Sequence, residues 1–418
     1  MTENVFDLIV IGGGASGLFA SSMVCSLTSG KARVLVIDGN DRCGKKLALT
    51  GSGRCNLSNK GAAPDKYNTD CPEILEKCLG SFGPSDAVSF FEDTLGVVTV
   101  CDDGLYYPAT YKASTVIDSF RFYLEDSGVI MKFGSKCKKI WHKNGSFTVI
   151  TEDGSEFVSS KLICATGGAT YPSTGSTGSV RQLLEGIVEP KDIVGYRPAL
   201  TSLTSKMPGI KALAGLRVRS RVDLSDGNGK MEDSSEGEVI FTKEGGISGI
   251  CVMDISGKAS LMLDKGRKPV VTVNISGIPK GDLERVLEDR RSKFGSRNIS
   301  GALSGFMPRI LCEFACRIAE IDPMVKMNSL SDRDIKTLSE TIGSLKIPVD
   351  GYGGADKAQV SSGGVRLSSV DDLMQYKSCK GLYIIGEALN VDGRCGGYNL
   401  QWAWSSAAAA AKGVTANV

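Results

Sequence analysis

Asp7-Leu-Ile-Val-Ile-Gly12-Gly13-Gly14-Ala15-Ser16-Gly17-Leu18 is the stretch that decides the fold. Phe6–Ile11 is a short apolar β run, the glycines of Gly12–Gly17 break it, and Leu18–Leu27 carries helix-favouring residues. Arg33–Ile37 reads as a second buried strand and stops at Asp38. A bare GxGxxG is weak evidence. Here a strand precedes it, a helix follows it, and an acid closes the next strand, as a dinucleotide fingerprint requires. Gly12 permits the tight turn, Gly14 lets backbone approach a pyrophosphate, and Gly17 allows helix and strand to pack closely. Ala15 and Ser16 open the helix, whose first N–H groups have no partner within it and face the phosphates. Asp38 is expected to accept hydrogen bonds from a ribose hydroxyl, which disfavours a 2′-phosphate there.

Working outward, two later segments separate FAD from NAD. Cys164-Ala-Thr166-Gly167-Gly168 closes a buried strand, and Gly381-Leu-Tyr-Ile-Ile-Gly386-Glu387 is another strand with a glycine–acid end near the C-terminus. A long extended cofactor needs contacts from both ends of the chain, so FAD is the expected cofactor. Gly386 backbone can approach the ribityl–phosphate stem and Glu387 can accept from its hydroxyls. Thr166, Gly167 and Cys137 are assigned to the same cofactor-binding set.

The chain has 418 residues, more than one hydrophobic core usually supports. Its fold class reads as α/β: a Rossmann-like FAD-binding domain built from both termini, with an inserted β-barrel-like part and a helical part. The expected boundaries are 1–194 and 348–418 for the FAD-binding domain and 195–347 for the inserted substrate domain. Val129–Phe133, Lys138–Ile140, Ser146–Ile150 and Glu156–Val158 read as a β meander, followed by a separate buried strand at Leu162–Thr166. In the insertion, Leu216–Leu224 and Glu238–Thr242 read as antiparallel strands, and Lys280–Lys293 and Pro308–Ile321 as helices. A net charge of +2 gives no basic stripe for nucleic acid or a membrane surface. No signal peptide or membrane span is read, and thirteen scattered cysteines suit reduced thiols in the cytoplasm. No metal-ligand spacing is present.

Two long motifs carry a resemblance. Gly44-Lys45-Lys46-Leu-Ala-Leu-Thr-Gly51-Ser-Gly-Arg54-Cys55-Asn56-Leu-Ser-Asn59 and Gly386-Glu-Ala-Leu-Asn-Val-Asp-Gly-Arg394-Cys395-Gly396-Gly397-Tyr398-Asn399-Leu400-Gln-Trp-Ala-Trp-Ser405 resemble the signatures of a bacterial flavoprotein family. This is the aminoacetone-oxidase-type, NAD(P)/FAD-dependent oxidoreductase family, which includes a flavoprotein of the bile-acid dehydroxylation pathway. Ala165–Gly178, Phe241–Gly249 and Ser362–Val365 extend the likeness over nearly the whole chain. It implies that Lys45, Lys46, Arg54, Cys55 and Asn56 lie along the cofactor, that Gly396–Leu400 caps the pyrimidine end of the flavin, and that the inserted part sets substrate choice. Cys395 stands where the family more often has Thr, and Arg394 where an aromatic is common. Independently, Gly397–Trp404 reads as a helix start, and a helix N-terminus stabilises negative charge at the N1/O2 edge of a reduced flavin. Trp402 and Trp404 read as helix packing.

The chemistry has few candidate acids. His142 is the only histidine and falls in a polar stretch, so a His general acid is not expected. Tyr171, beside the ATGG turn, and Arg394 are the catalytic candidates. The leading expectation is an FAD-dependent oxidoreductase in which NAD(P)H is the electron donor and hydride reaches an electron-poor C=C bond of a small organic substrate. No second GxGxxG exists for a nicotinamide cofactor. An amine oxidase using oxygen is therefore the alternative, and a flavoprotein acting on tRNA the second alternative.

Overall fold

Strands apolar on both faces are satisfied only inside a sheet covered on both sides. The computed structural model describes residues 4–416, and it places β1 (Val5–Ile11) and β2 (Val34–Ile37) there, with Leu8–Val10 and Val34–Ile37 buried. Helix α1 (Ala15–Thr28) crosses from β1 to β2, which pair in parallel from Leu8↔Val34 to Ile11↔Ile37. The chain forms two units, one ending at Arg197 and resuming at Gln359, the other spanning Pro198–Ala358.

The first unit continues through β3 (Tyr67–Thr69), α2 (Ala113–Asp126), β4 (Ile130–Lys132), β5 (Cys137–Lys143), β6 (Ser146–Thr151), β7 (Glu156–Cys164) and β8 (Ile193–Ala199). After the insertion come β9 (Val360–Val365), β10 (Leu382–Ile384), β11 (Val391–Gly393) and α3 (Tyr398–Thr415). Its main sheet has the order β4-β2-β1-β7-β6-β5, with β10 also pairing β7. Two expected elements differ. Ile130–Lys132 is a parallel neighbour of β2 and no part of a meander. Glu156–Val158 and Leu162–Thr166 are one strand, because Ser159-Ser160-Lys161 contains no breaking residue and stays extended. The first half of β7 pairs antiparallel with β6, and its end pairs parallel with β10. One strand thus belongs to both the meander and the nucleotide-binding sheet.

The second unit has its own hydrophobic core. Its seven-stranded sheet runs Leu345–Pro348, Val270–Val273, Arg217–Ser225, Met231–Phe241, Gly246–Ser248, Leu203–Thr204, Gly351–Tyr352, and helices Ile250–Asp264, Lys280–Phe294, Arg309–Ile318 and Asp332–Gly343 accompany it. The chain stays in this unit past residue 348 because Leu345–Pro348 pairs with Val270–Val273 and Gly351–Tyr352 with Leu203–Thr204. At the other end, β8 pairs with β9, which keeps the chain in the first unit as far as Arg197.

Candidate cofactor site

The turn after β1 is built by glycines that cannot be replaced without collision. Gly12 has φ +111°, and a Cβ there would lie 2.3 Å from the Ala165 carbonyl oxygen. A Cβ on Gly17 would lie 1.9 Å from the Gly12 oxygen. Gly14 is different: it is the N-cap of α1, in extended backbone, and a Cβ there would meet no protein atom within 4 Å. Asp38 directly follows β2, with Oδ2 accepting the Gly13 N–H at 2.7 Å and Oδ1 accepting from the Asn40 backbone and side chain. Asn40 also donates to the Thr174 carbonyl at 3.0 Å, which ties the 167–178 loop to the acid at the end of β2.

Residues from both ends of the chain meet at this turn. β1 pairs with β7 up to Ile11↔Cys164, and β7 pairs with β10 up to Cys164↔Ile384, so Thr166–Gly167 and Gly386 emerge at the same edge as Gly12. Gly386 has φ +62°, and a Cβ there would lie 2.7 Å from Ser16 Oγ. Its N–H donates to Ser406 Oγ and its carbonyl accepts from Trp402 Nε1, both on α3. Trp404 Nε1 donates to the Leu57 carbonyl at 2.7 Å, and its ring packs 5.1 Å from Phe19 of α1. Both tryptophans are thus core residues of the helix that fastens the C-terminal segment to the first.

Beside the turn lies a polar cluster. Lys46 Nζ reaches Thr170 Oγ1 at 2.8 Å and Glu387 Oε2 at 2.7 Å, and Glu387 Oε1 accepts from the backbone and hydroxyl of Ser361 on β9. Glu387 is therefore engaged with protein through both oxygens. The next carboxyl, Asp392, is buried on β11; Asn68 of β3 donates to it at 2.9 Å and the Ser362 hydroxyl also bonds it. Burial pushes Asp392 up to about 6, against those hydrogen bonds and the Arg197 charge, which favour the anion, while Glu387 adds to the upward push. The Asn-Val-Asp-Gly stretch holding this acid is part of the second motif, but nothing in its spacing marks it as buried.

At the start of α3, Gly396 and Gly397 take φ +113° and +87°, and Gly397 is the N-cap. The Asn56 amide, oriented with its oxygen toward the Gly397 N–H, accepts from it at 3.2 Å, and Asn59 Nδ2 donates to the Gly396 carbonyl. The first motif thus lies against the second. Asn399 bonds both the N–H and the carbonyl of Gly393, so its amide holds the turn. Tyr398 packs against Tyr67, whose hydroxyl donates to the Tyr398 carbonyl, and Leu400 packs on the core. Lys45 pairs with exposed Asp41, and Arg54 is exposed, stacked over Tyr107 and bonded to the Gly51 carbonyl. Cys55 and Cys137 are core residues whose thiols burial pushes up to about 12, so neither is a thiolate at neutral pH. Tyr171 is half-buried with φ +54°, and the Arg394 N–H donates to the Lys66 carbonyl. His142 is exposed. None of the thirteen cysteines is in a disulfide, and among the described residues no cluster of metal-ligating side chains and no helix long and apolar enough to cross a membrane is found.

These residues fit FAD. Among the described residues five buried hydroxyls have no hydrogen-bond partner, and two of them, Ser135 Oγ and Ser176 Oγ, belong to segments that border this turn. The Ser135 N–H donates to the Asp38 carbonyl at 3.0 Å, and Ser176 stands beside Gly167. Orphaned buried hydroxyls carry a desolvation cost that a polar ligand removes. Together with the open approach at Gly14, they suit the adenosine and pyrophosphate half of the cofactor.

Residues 6–413 match the family described as HI0933-like protein Rossmann domain, and the chain belongs to this FAD-binding Rossmann family of oxidoreductases. It is 30% identical to a 3-dehydro-bile acid delta(4,6)-reductase from Clostridium scindens, over 95% of this chain and 96% of that one. It is 29% identical to a ribosomal RNA dihydrouridine synthase from Escherichia coli, over 98% of each. In fold it is similar to 3-ketosteroid delta1-dehydrogenase from Sterolibacterium denitrificans, with a TM-score of 0.52 at 13% identity, over 99% of this chain and all of that one.

Proposed function

We propose that this member of the HI0933-like family is a reductase that delivers hydride from NAD(P)H, through FAD, to a C=C bond conjugated with a carbonyl in a small organic substrate. The observation that carries the reading is the meeting of the Gly12–Gly17 turn and Gly386, from opposite ends of the chain, at one sheet edge, with Gly386 fastened to α3 through Trp402 and Ser406. The fingerprint and the α3 start would hold opposite ends of an extended FAD. When bound, FAD accepts and donates hydride at N5, which is the redox chemistry the side chains lack. The chain's own groups then have defined tasks. The α1 N-terminus holds the pyrophosphate, Asp38 a ribose, and the α3 N-terminus stabilises negative charge at the far end. Tyr171 would supply the proton that completes reduction at the α-carbon, and Arg394 would orient the carbonyl.

The two relatives support one chemistry. A 3-oxo-bile acid desaturated at positions 4 and 6 is an extended enone. Dihydrouridine is uridine saturated at a C=C bond conjugated to a ring carbonyl. Both names describe a C=C bond that is conjugated with a carbonyl in one partner of the reaction and saturated in the other. A uracil ring in RNA is therefore the second reading, favoured by the 29% identity to the rRNA enzyme and opposed by the near-neutral charge. Purified protein should be yellow and should bleach rapidly when mixed anaerobically with NADH or NADPH. The bleached protein should regain colour with a 4-en-3-one steroid. Recovery only with an rRNA transcript, with dihydrouridine found by mass spectrometry, moves the substrate to RNA. Bleaching by amines alone, with peroxide released in air, sinks the reductase reading.

A further inference from the structure

Asp392 has no task in the scheme above, yet it sits one residue from the turn that starts α3. It is fully buried on β11. Its Oδ2 accepts from Asn68 Nδ2 at 2.9 Å, and the Ser362 hydroxyl of β9 also bonds the carboxyl. Its neighbour Gly393 is held by the Asn399 side chain at the N–H (2.8 Å) and the carbonyl (2.9 Å). A change at residue 392 is thus passed to the first turn of α3 through a single glycine. The charged groups facing Asp392 are Arg197 on β8 and Glu387, itself paired with Lys46. The remaining titratable groups on the flanking strands are Tyr196 and Tyr67, whose hydroxyls burial pushes upward, and Asp70 just beyond β3, which is occupied by the N–H groups of Leu367 and Ser368 and by Asn390.

A carboxyl in this setting is balanced: burial favours the neutral form, while two donors and one cation favour the anion. A balanced group changes its protonation when charge appears close by. We propose that Asp392 is a positioning residue that takes up one proton as negative charge accumulates before the α3 N-terminus, and releases it when that charge leaves with the hydride. The proton comes from water and returns to it. The nicotinamide donor supplies both electrons and the transferred hydrogen nucleus, and Asp392 supplies neither. The inference rests on the reductase reading and on FAD lying with its pyrimidine edge at Gly396–Leu400.

The test uses holoenzyme, with the midpoint potential of the bound flavin measured from pH 5 to 8. The plot of potential against pH should break near pH 6, and the infrared difference spectrum on reduction should gain a protonated-carboxyl band. Asp392→Asn should remove both the break and the band. Asn68→Ala, at an exposed position, removes a donor to the anion and should move the break to higher pH. If Asp392→Asn does not retain flavin, the displacement in Asn68→Ala decides the matter. A break and band unchanged in the variants overturn this inference and leave the reductase reading standing. A protein that binds no flavin overturns both.

Discussion

A branched side chain at position 14 has room in the protein: the backbone is extended (φ −85°, ψ −170°), which valine accepts, and a Cβ meets nothing within 4 Å. Gly14→Val should therefore fold with its secondary structure and melting temperature nearly intact, while the flavin-to-protein ratio after purification drops to near zero. Full flavin occupancy in that variant would show that the pyrophosphate lies elsewhere. Gly17→Ala makes the opposite case. Its Cβ would sit 1.9 Å from the Gly12 oxygen, so the turn itself must open and stability must fall with or without flavin. Asp392 gives a third residue-scale expectation. Its folded pKa is raised to about 6, above the ordinary 3.8. Between those values the folded protein holds a proton that the unfolded chain has lost, so stability falls as pH rises through that window and stays reduced above it. The shift corresponds to a loss on the order of 3 kcal/mol. Urea unfolding of flavin-free protein at pH 4, 5, 6 and 7 should show this decline, and Asp392→Asn should flatten it. A flat wild-type profile would mean that the carboxyl is not sealed from solvent.

At the scale of elements, α3 fastens the C-terminal segment to the first. Trp404 is fully buried among Phe19, Phe91 and Phe120, and its indole satisfies the Leu57 carbonyl. Truncation to alanine removes that packing and leaves a buried acceptor unpaired, a cost of about 3–5 kcal/mol, with the unpaired carbonyl favouring the upper end. Chemical denaturation of Trp404→Ala measures it; a loss under about 1 kcal/mol would place the ring outside the core. The same elements explain what could be read from the chain. The nucleotide-binding strands and the first glycine turn were legible because their constraints are local: apolar runs need burial, and Gly12 and Gly17 answer collisions with the strand beside them and within their own turn. The long β7 was not, since its split between two partners depends on β6 and β10, which end 13 residues before and start 218 residues after Cys164. The helix Ile250–Asp264 has apolar residues on most of its surface and so lacks the one-sided pattern that betrays a helix. Asp392 lay within a quoted motif, yet its burial follows from pairing with Asn68, 324 residues away. Side chains such as Lys45 and Arg54 illustrate the converse: their motif is distinctive, but the partners they take are decided by Asp41 and Tyr107.

For the molecule as a whole, the chain builds two hydrophobic cores, one per unit, and all the residues assigned to FAD belong to the first. A ligand stabilises only what binds it, by an amount set by its concentration relative to its dissociation constant, about 2.7 kcal/mol at a hundredfold excess. Heating flavin-free protein should accordingly expose a transition that responds to added FAD and one that does not. The responsive transition should be followed by tryptophan fluorescence, because Trp402 and Trp404 lie in the first core, and Trp141, the third tryptophan, is on β5 of the same unit. Residues 198–358 contain no tryptophan, so a probe placed there, such as a label on a cysteine introduced at exposed Ser304, should report the transition that FAD leaves unmoved. If both probes moved upward together with FAD, the two cores would unfold as one cooperative body, and the cofactor's binding energy would be felt across the whole chain. If only the label moved, the flavin would be bound by the inserted unit, contrary to the assignment of the fingerprint.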